Sequence, residues 1–470
     1  MDGAEDARRS RAILGTALRA PNGPTRRSLQ RSWSNRASAP NLGPGREGNA
    51  EMMAVTREKI VHALYEAAEL EHCLMCAYLY AMFSLRDGEG EGLNAEEAEA
   101  VANWRRAILG ISVGEMSHLI AVWNITAALG AAPRFGRDNL PLAPGVLPAN
   151  LVVRLAPFSD AVIQHFVYLE RPEGAAEHDD PSFESAEVFS RHAPGVRLTP
   201  TGYQYRSVGE FYEEIAADLR RLTAQIGEEA VFCGDPRLQL TQAESKLPGA
   251  TPVTNLESAL AAIEHIVVEG EGAPRHRENS HYERFRQIRA EMRSLKAKNP
   301  SFSAAHPSAE NPVLRRPPEP QGHVWLHDRD AIATVDLANA TYALMMRLLA
   351  AAYGLPAGSD EKLLYVHSAV GLMQAMTPLA ERAARLPAGP SFPGINAGMS
   401  FTAQRNAAAL PSGPSARRFF AERIQELNAA ATALDRKDPR CVTASNVLDA
   451  LRSKLLAAFD ADAKAVQTSA

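Results

Sequence analysis

The sequence predicts an all-α protein, made of a four-helix bundle with a long crossover and a second helical domain nearer the C-terminus. Apolar residues recur at spacings of three and four through much of the chain, which is the period of a helix with one buried face. Segments rich in glycine and proline separate these stretches into individual helices. In several of them, glutamate and histidine occupy positions of the apolar stripe, which is typical of bundles that bind metal in their core.

Composition excludes several classes of protein. The 470 residues have a net charge of -5, and no basic face follows the N-terminal region, which argues against a nucleic-acid surface. No apolar run approaches the roughly 20 residues of a membrane span, and the first residues lack the apolar core of a signal peptide. The four cysteines are too few and too scattered for a disulfide framework. We therefore expect a soluble cytoplasmic protein without nucleic-acid or membrane partners.

The pattern divides the chain into four parts. Residues 1–52 are rich in Arg, Ser, Gly, Asn and Pro and are predicted to be a disordered tail. The bundle is assigned to residues 53–300, a proline-rich linker to 301–322 and the C-terminal helical domain to 323–470. Four further amphipathic helices are predicted in this last part, at residues 331–353, 360–386, 415–434 and 442–459.

The first predicted helix begins after Thr56, a suitable N-cap, and has a glutamate in its buried face. Its stripe consists of Ile60, Leu64, Ala67, Glu71, Leu74, Tyr78 and Met82. A buried carboxylate is costly unless it is paired or hydrogen-bonded, so Glu71 requires a partner. An ordinary ion pair with an arginine is the alternative if this helix is considered alone.

The second predicted helix has two polar residues in its stripe. It begins near Asn94 and Glu97, which match a capping box, and ends at Gly130. Its stripe consists of Trp104, Ile108, Ile111, Glu115, His118, Val122, Ile125 and Leu129. Glu-x-x-His is the ligand pair that four-helix dimetal proteins place on two of their helices, with a single glutamate on each of the others. Glu115 and His118 are therefore candidate metal ligands.

A long crossover is predicted at residues 131–206. This segment has many prolines and one short amphipathic piece, near residues 158–169. Its three histidines, His165, His178 and His192, are not predicted to be ligands.

The third predicted helix covers residues 207–226 and offers three acids, Glu210, Glu213 and Glu214. Its apolar face contains Tyr212 and Ile215. Periodicity places Glu214 nearer this face than Glu210, unless the first turn is overwound or bulged. The pattern alone leaves open which acid points inward.

The last part of the bundle contains a second Glu-x-x-His. A helix at residues 255–269 is followed by a break at 270–274, and then by the stripe Glu278, His281, Phe285, Ile288, Met292 and Leu295. Two such pairs in register with apolar faces, together with Glu71 and an acid of the third helix, predict a site for two metal ions. Core histidines with ion-paired acids are the alternative. Four further residues are candidates for additional ligands or for hydrogen-bond partners of the ligands: Glu214, His265, Glu269 and Glu271.

Carboxylate oxygens with one imidazole per metal favour iron or manganese over zinc or copper. We therefore predict two iron ions, or an iron–manganese pair, with dioxygen as a reactant. Several aromatic residues near the predicted ligands are candidates for an apolar substrate pocket: Tyr78, Trp123, Phe211 and Tyr282. Core packing is the alternative role for each of them.

The chain resembles the ferritin-like domain of the iminophenyl-pyruvate dimer synthase family, which includes enzymes of the violacein and rebeccamycin pathways. The resemblance covers roughly residues 59–401 and is clearest in a set of short motifs. These are Glu69-Leu-Glu-His72, Glu115-Met-Ser-His118, Phe166-Val-Tyr-Leu-Glu-Arg-Pro172, Val208-Gly-Glu-Phe-Tyr212, Glu269-Gly-Glu-Gly272 and Ser280-His-Tyr-Glu-Arg-Phe285.

The resemblance implies a set of six metal ligands: Glu71, Glu115, His118, Glu210, Glu278 and His281. For the third helix it thus selects Glu210. It also implies an oxygen-dependent oxidoreductase that acts on a small, aromatic, amino-acid-derived imine in secondary metabolism. The alternative function is a non-catalytic metal-binding or iron-handling protein. A homo-oligomer is compatible with either function.

Overall fold

The structure is a computed structural model that describes residues 55–143, 147, 151–184, 191, 198–270, 280–404, 410 and 413–468. The predicted all-α class is confirmed, since helices account for nearly all the regular structure in these ranges. The helices are α1 (Arg57–Phe83), α2 (Ala95–Ala128), α3 (Asp160–Leu169), α4 (Val208–Ile226), α5 (Glu228–Val231), α6 (Gln242–Ser245), α7 (Leu256–Glu269), α8 (His281–Lys298), α9 (Arg329–Ala352), α10 (Asp360–Ala383), α11 (Pro414–Ala433) and α12 (Pro439–Thr468).

The first half of the bundle is the pair α1 and α2, which pack along each other. Both begin as the sequence predicts. The Thr56 side chain accepts a hydrogen bond from the backbone N–H of Lys59, and Asn94 forms a capping box with Glu97. From Ala67 to Phe83 every residue of α1 is buried, because other helices surround it.

The second half of the bundle consists of shorter helices. α3 packs against α8, and α4 packs against α7. These pairs lie against the first half, where α4 contacts α1, and α7 and α8 contact α2. The short amphipathic piece predicted inside the crossover is α3, and it is part of the bundle core rather than a cover over it. Its Phe166 ring lies 4.6 Å from that of Tyr78 on α1.

Helices α9–α12 form a second layer, in which α10 packs against both α9 and α12. Their apolar side chains join those of the bundle in one continuous core, and residues 53–470 form one compact unit. The predicted linker is folded against both parts. Phe302 is buried, and Pro312–Val313 (β1) pairs in parallel with Val324–Trp325 (β2). The division at residues 300 and 323 remains a prediction, and the predicted tail, residues 1–52, lies outside the described residues.

Among the described residues, α2 is long and apolar enough to cross a membrane, but 72% of its most apolar window is buried inside the protein. Its hydropathy is therefore explained by its place in the bundle core, where most of its neighbours are other helices.

Candidate metal centre

Two groups of carboxylates and histidines lie in the bundle core. Glu71, Glu115 and His118 form one, and Glu115, Glu170 and His281 form the other. Within each group the candidate ligand atoms all lie within 4.8 Å of one another, and every member is buried. Glu115 belongs to both groups. This is the arrangement expected when one carboxylate bridges two cations.

Glu115 faces the two histidines with different oxygens. Its Oε2 lies 3.2 Å from His118 Nδ1, and its Oε1 lies 2.9 Å from His281 Nδ1. A second carboxylate approaches each ring, with Glu71 Oε2 3.6 Å from His118 Nδ1 and Glu170 Oε2 3.7 Å from His281 Nδ1. Both imidazoles thus turn the same nitrogen toward a pair of carboxylates.

The residues of the two groups lie in different parts of their helices. Glu71, Glu115 and His118 lie in the interiors of the long helices α1 and α2. Glu170 is the residue that caps the C-terminus of α3, and His281 is the first residue of α8, directly after the N-cap Ser280. The second group is therefore assembled from helix ends.

The residues fit a metal centre because their buried polar atoms lack other partners. Within the described part of the chain, these buried atoms form no hydrogen bond of suitable geometry, although Glu115 Oε1 and His281 Nδ1 lie 2.9 Å apart: Glu71 Oε2, Glu115 Oε1, His118 Nε2, Glu170 Oε2 and His281 Nδ1. Buried acceptors of this kind cost about 1–3 kcal/mol each when left unsatisfied. Divalent cations between the three carboxylates and His281 would provide a partner for four of these five atoms, all except His118 Nε2.

The charges in the cluster depend strongly on one another. Burial and the neighbouring Glu115 raise the pKa of Glu71 to about 8, against the lowering effect of His118. Burial and Glu115 also raise the pKa of Glu170. Burial alone would lower the pKa of His281, but the carboxylates of Glu170 and Glu115 raise it to about 9. Without a cation the cluster therefore retains protons, which bound metal would displace.

Two tyrosines orient the outer carboxylates. Tyr78 on α1 donates a hydrogen bond of 2.6 Å to Glu170 Oε1, and Tyr212 on α4 donates one to Glu71 Oε1. In each case the other carboxylate oxygen remains directed at a histidine. The Tyr78 ring packs edge-on against Phe166 and Phe285, which enclose this side of the cluster in apolar surface.

A glycine allows His281 to approach α2. A Cβ atom at residue 114 would lie 2.6 Å from His281 Nε2, so only glycine leaves room for the ring. One turn earlier, a Cβ at residue 110 would meet only the flexible end of Arg284, at 2.7 Å. Gly114 thus sets the distance between His281 and Glu115.

The structure separates Glu210, which the resemblance selected, from the cluster. Glu210 lies in the first turn of α4, and its carboxylate accepts a hydrogen bond of 2.8 Å from the backbone N–H of Arg206 at the surface. Glu214 is about half exposed and lies 3.7 Å from Arg221. The inward position on α4 belongs to Tyr212, because it lies in the buried stripe with Val208 and Ile215.

Glu278 and Glu271 lie outside the described residues, so their predicted roles stay predictions. Of the second Glu-x-x-His, the structure describes only the histidine, which is the first residue of α8.

His265 and Glu269, on the last turns of α7, lie near the cluster without belonging to either group. Glu269 Oε2 lies 4.0 Å from His118 Nε2 and 3.6 Å from His265 Nε2. The rings of His118 and His265 are perpendicular, with centroids 5.9 Å apart. These residues therefore face the side of His118 that is turned away from Glu115.

The four aromatic residues predicted to line one pocket are dispersed. Tyr78 contacts Glu170, and Tyr282 donates a hydrogen bond of 2.6 Å to Glu177. Phe211 stacks on Tyr205, with ring centroids 4.5 Å apart. Trp123 packs against Phe135, with ring centroids 4.6 Å apart, near the C-terminal end of α2.

Sequence reasoning missed Glu170, although a signal was present. Ile163, Phe166 and Glu170 follow one another at spacings of three and four, as the stripes of α1 and α2 do, and Glu170 lies in a motif that supports the resemblance. It was overlooked because the surrounding segment is rich in proline and because the crossover was not expected to supply a core helix.

The chain is similar to a family model and to a solved structure. The family model described as Ferritin-like matches residues 64–290. A crystal structure of a ferritin-like protein from Caulobacter vibrioides superposes with a TM-score of 0.45 at 18% identity, covering 73% of this chain and 99% of that one.

Two curated proteins are similar over most of the chain. A dichlorochromopyrrolate synthase of Lentzea aerocolonigenes is 26% identical over 406 residues, which are 79% of this chain and 38% of that protein. A 2-imino-3-(indol-3-yl)propanoate dimerase of Chromobacterium violaceum is 28% identical over 392 residues, which are 76% of this chain and 35% of that protein. The chain thus spans little more than a third of either relative. Residues 64–290 of this chain therefore resemble a ferritin-like domain, and the predicted resemblance to the iminophenyl-pyruvate dimer synthase family is confirmed.

Proposed function

We propose that the bundle binds two metal ions, two irons or an iron–manganese pair. Glu71 and His118 would hold one ion, Glu170 and His281 the other, and Glu115 would bridge them. The observation that supports this most directly is the pair of buried groups that share Glu115. Glu278 is retained in the proposal as a sixth ligand.

We further propose that the chain is an oxygen-dependent oxidoreductase of secondary metabolism. When bound, two such ions would supply one-electron and dioxygen chemistry that amino-acid side chains lack. The substrate would be a small, aromatic, amino-acid-derived imine, because one similar protein is named as a dimerase of an indolyl imino acid. A cytoplasmic location is part of the proposal and agrees with the four cysteines, which are all free.

The side chains around the cluster have distinct tasks in this function. Tyr212 and Tyr78 hold the outer carboxylates in one orientation each, which keeps their remaining oxygens directed at the metal positions. Phe166 and Phe285 pack around Tyr78 and exclude water from the second group. Exclusion of water strengthens the electrostatic interactions inside the site.

On the other side of His118, Glu269 is proposed to orient the ring. Histidine ligands usually donate their second N–H to a carboxylate or carbonyl, which fixes the tautomer. Glu269 Oε2 lies 4.0 Å from His118 Nε2 and 3.6 Å from His265 Nε2, so its carboxylate faces both rings.

Metal analysis of the purified protein tests the proposed centre. Wild-type protein loaded with ferrous iron should retain about two ions per chain after desalting. Glu115→Gln and His281→Ala should retain far less, whereas the surface variant Glu210→Gln should match the wild type. Equal metal content in all four proteins would contradict the proposal.

Oxygen consumption then separates the two candidate functions. Imines formed in solution from indole-3-pyruvate or phenylpyruvate and ammonium should stimulate oxygen uptake by the loaded wild type but not by Glu115→Gln. If ferrous iron alone is oxidised and no imine changes the rate, the iron-handling function is favoured instead.

A further inference from the structure

A groove with a volume of about 950 Å³ lies between the C-terminal end of α2, the segment 130–138 and α9. No member of the two carboxylate–histidine groups lines it. Its walls include the aromatic rings of Phe135, Tyr342 and Tyr353 and the thioether of Met346. Both its volume and its largely apolar lining are those of small-molecule sites.

The groove also contains a buried positive charge. Arg137 is 6% exposed and lines the groove. Its Nη1 donates to the backbone oxygen of Asp138 at 2.9 Å, and its Nη2 donates to the backbone oxygen of Phe401 at 2.5 Å and contacts Cys76 Sγ at 3.6 Å. Within the described part of the chain, its Nε has no hydrogen-bond partner.

Arg137 is charged, because a guanidinium group does not lose its proton in proteins. No carboxylate of the described residues forms an ion pair with it. The other charges at the groove are accounted for differently. Arg134 pairs with Glu69 at 3.1 Å, Asp235 pairs with Arg237 at 2.7 Å, and Asp138 is exposed to solvent. Arg347 also lines the groove, and its guanidinium packs over the ring of Phe419, 5.2 Å from the centroid.

A bound anion would offset the unfavourable free energy of burying the Arg137 guanidinium without a counterion. Arginine frequently binds carboxylates through two parallel hydrogen bonds. The neighbouring Tyr342 is fixed by a contact of 2.5 Å between its hydroxyl and His72 Nε2, so its ring forms a rigid wall. Arg137 lies 5.8 Å from the centroid of that ring.

We propose that this groove binds a small aromatic carboxylate, whose charged end pairs with Arg137 and whose ring packs against Phe135, Tyr342 and Tyr353. Arginine supplies the selectivity for the charge, and the aromatic walls supply most of the buried apolar area. The inference goes beyond the proposed function, because it assigns a separate site that requires no metal.

Isothermal titration of the full chain with indole-3-propionate tests this proposal, with indole-3-propanol as the uncharged analogue of the same shape. The acid should bind the wild type at least tenfold more tightly than the alcohol. Arg137→Gln should lose that preference, whereas Arg220→Gln, at an exposed position, should keep it. Absence of acid binding to the wild type, or equal affinity for both compounds, overturns the proposal.

A second variant covers the case in which Arg137→Gln does not fold. Ala343 lies on the groove wall and is only half-buried, so Ala343→Trp should fill the groove with little effect on the core. It should abolish binding of the acid. The variant Glu115→Gln should bind indole-3-propionate as the wild type does, whether or not the metal centre exists. Loss of binding in that variant would place the ligand at the metal cluster and refute the separate site.

Discussion

His118 and His281 lie with their ring centroids 5.5 Å apart, and each directs its Nδ1 atom at a different oxygen of one buried carboxylate. One histidine comes from the interior of α2 and the other from the start of α8, so two elements far apart in sequence define one centre.

Replacement of Glu170 should remove one metal ion. In Glu170→Ala the second group loses its outer carboxylate, so the retained metal should fall from about two ions to about one per chain. Glu210→Ala should leave the metal content unchanged, because its carboxylate faces Arg206 at the surface. Elemental analysis after desalting measures both. The reverse order of effects would show that α4, rather than α3, supplies the ligand.

Tyr212→Phe should destabilise the metal-free protein by about 1–3 kcal/mol, because a buried carboxylate of Glu71 loses its hydrogen-bond donor. Urea denaturation in the presence of a chelator measures the change. Tyr65→Phe is the matched control, since the Tyr65 hydroxyl bonds to the backbone oxygen of Ala132 in an exposed setting. If both variants lose the same stability, the contact with Glu71 has no special role.

Gly114→Ala should lower metal affinity more than Gly110→Ala does. The new methyl group at residue 114 would lie 2.6 Å from His281 Nε2 and would push the ring away from Glu115. At residue 110 it meets the end of Arg284, which can move aside. Competition with a metal chelator gives the two affinities. Equal affinities would mean that α8 can shift without loss of the site.

The contact between the bundle and the C-terminal helices should respond to acid. Burial would raise the pKa of Glu91, but Arg385, the backbone N–H of Asp87 and His306 lower it to about 2, from an ordinary value of 4.5. Because the pKa is lower in the folded state, the stabilisation is complete above pH 4.5 and is lost as the pH falls toward 2.

Thermal unfolding of wild type and Glu91→Gln checks this prediction. The difference between their melting temperatures should be larger at pH 7 than at pH 3.5. Glu89→Gln, an exposed neighbour, should show a small difference at both values. A gap between wild type and Glu91→Gln that does not narrow in acid would count against the assigned role of the ion pair with Arg385.

Periodicity was most informative where helices are long. The interiors of α1 and α2 have unbroken stripes, so Glu71, Glu115 and His118 could be placed in the core from sequence alone. The caps Thr56 and Asn94 were likewise predictable, because their chemistry is local.

Helix ends were where the sequence was least informative. Glu170 follows α3, a helix of only ten residues between proline-rich segments. The apolar stripe of this helix is too short to be recognised in the sequence. The dimetal pattern led to the expectation of an inward acid on α4, and the resemblance then selected Glu210, because both transfer a residue type and not an orientation. The placement of Tyr212 depends on packing against α1, which a single sequence does not record.

The different backbone settings of the two groups have a consequence for metal exchange. Buried residues in the middle of long helices open only with the whole bundle, whereas helix termini fray with much less free energy. The position held by Glu170 and His281 should therefore lose its ion first and be refilled first. Two neighbouring ions that share a carboxylate would then differ in residence time, and the protein could be isolated in a stable half-loaded form.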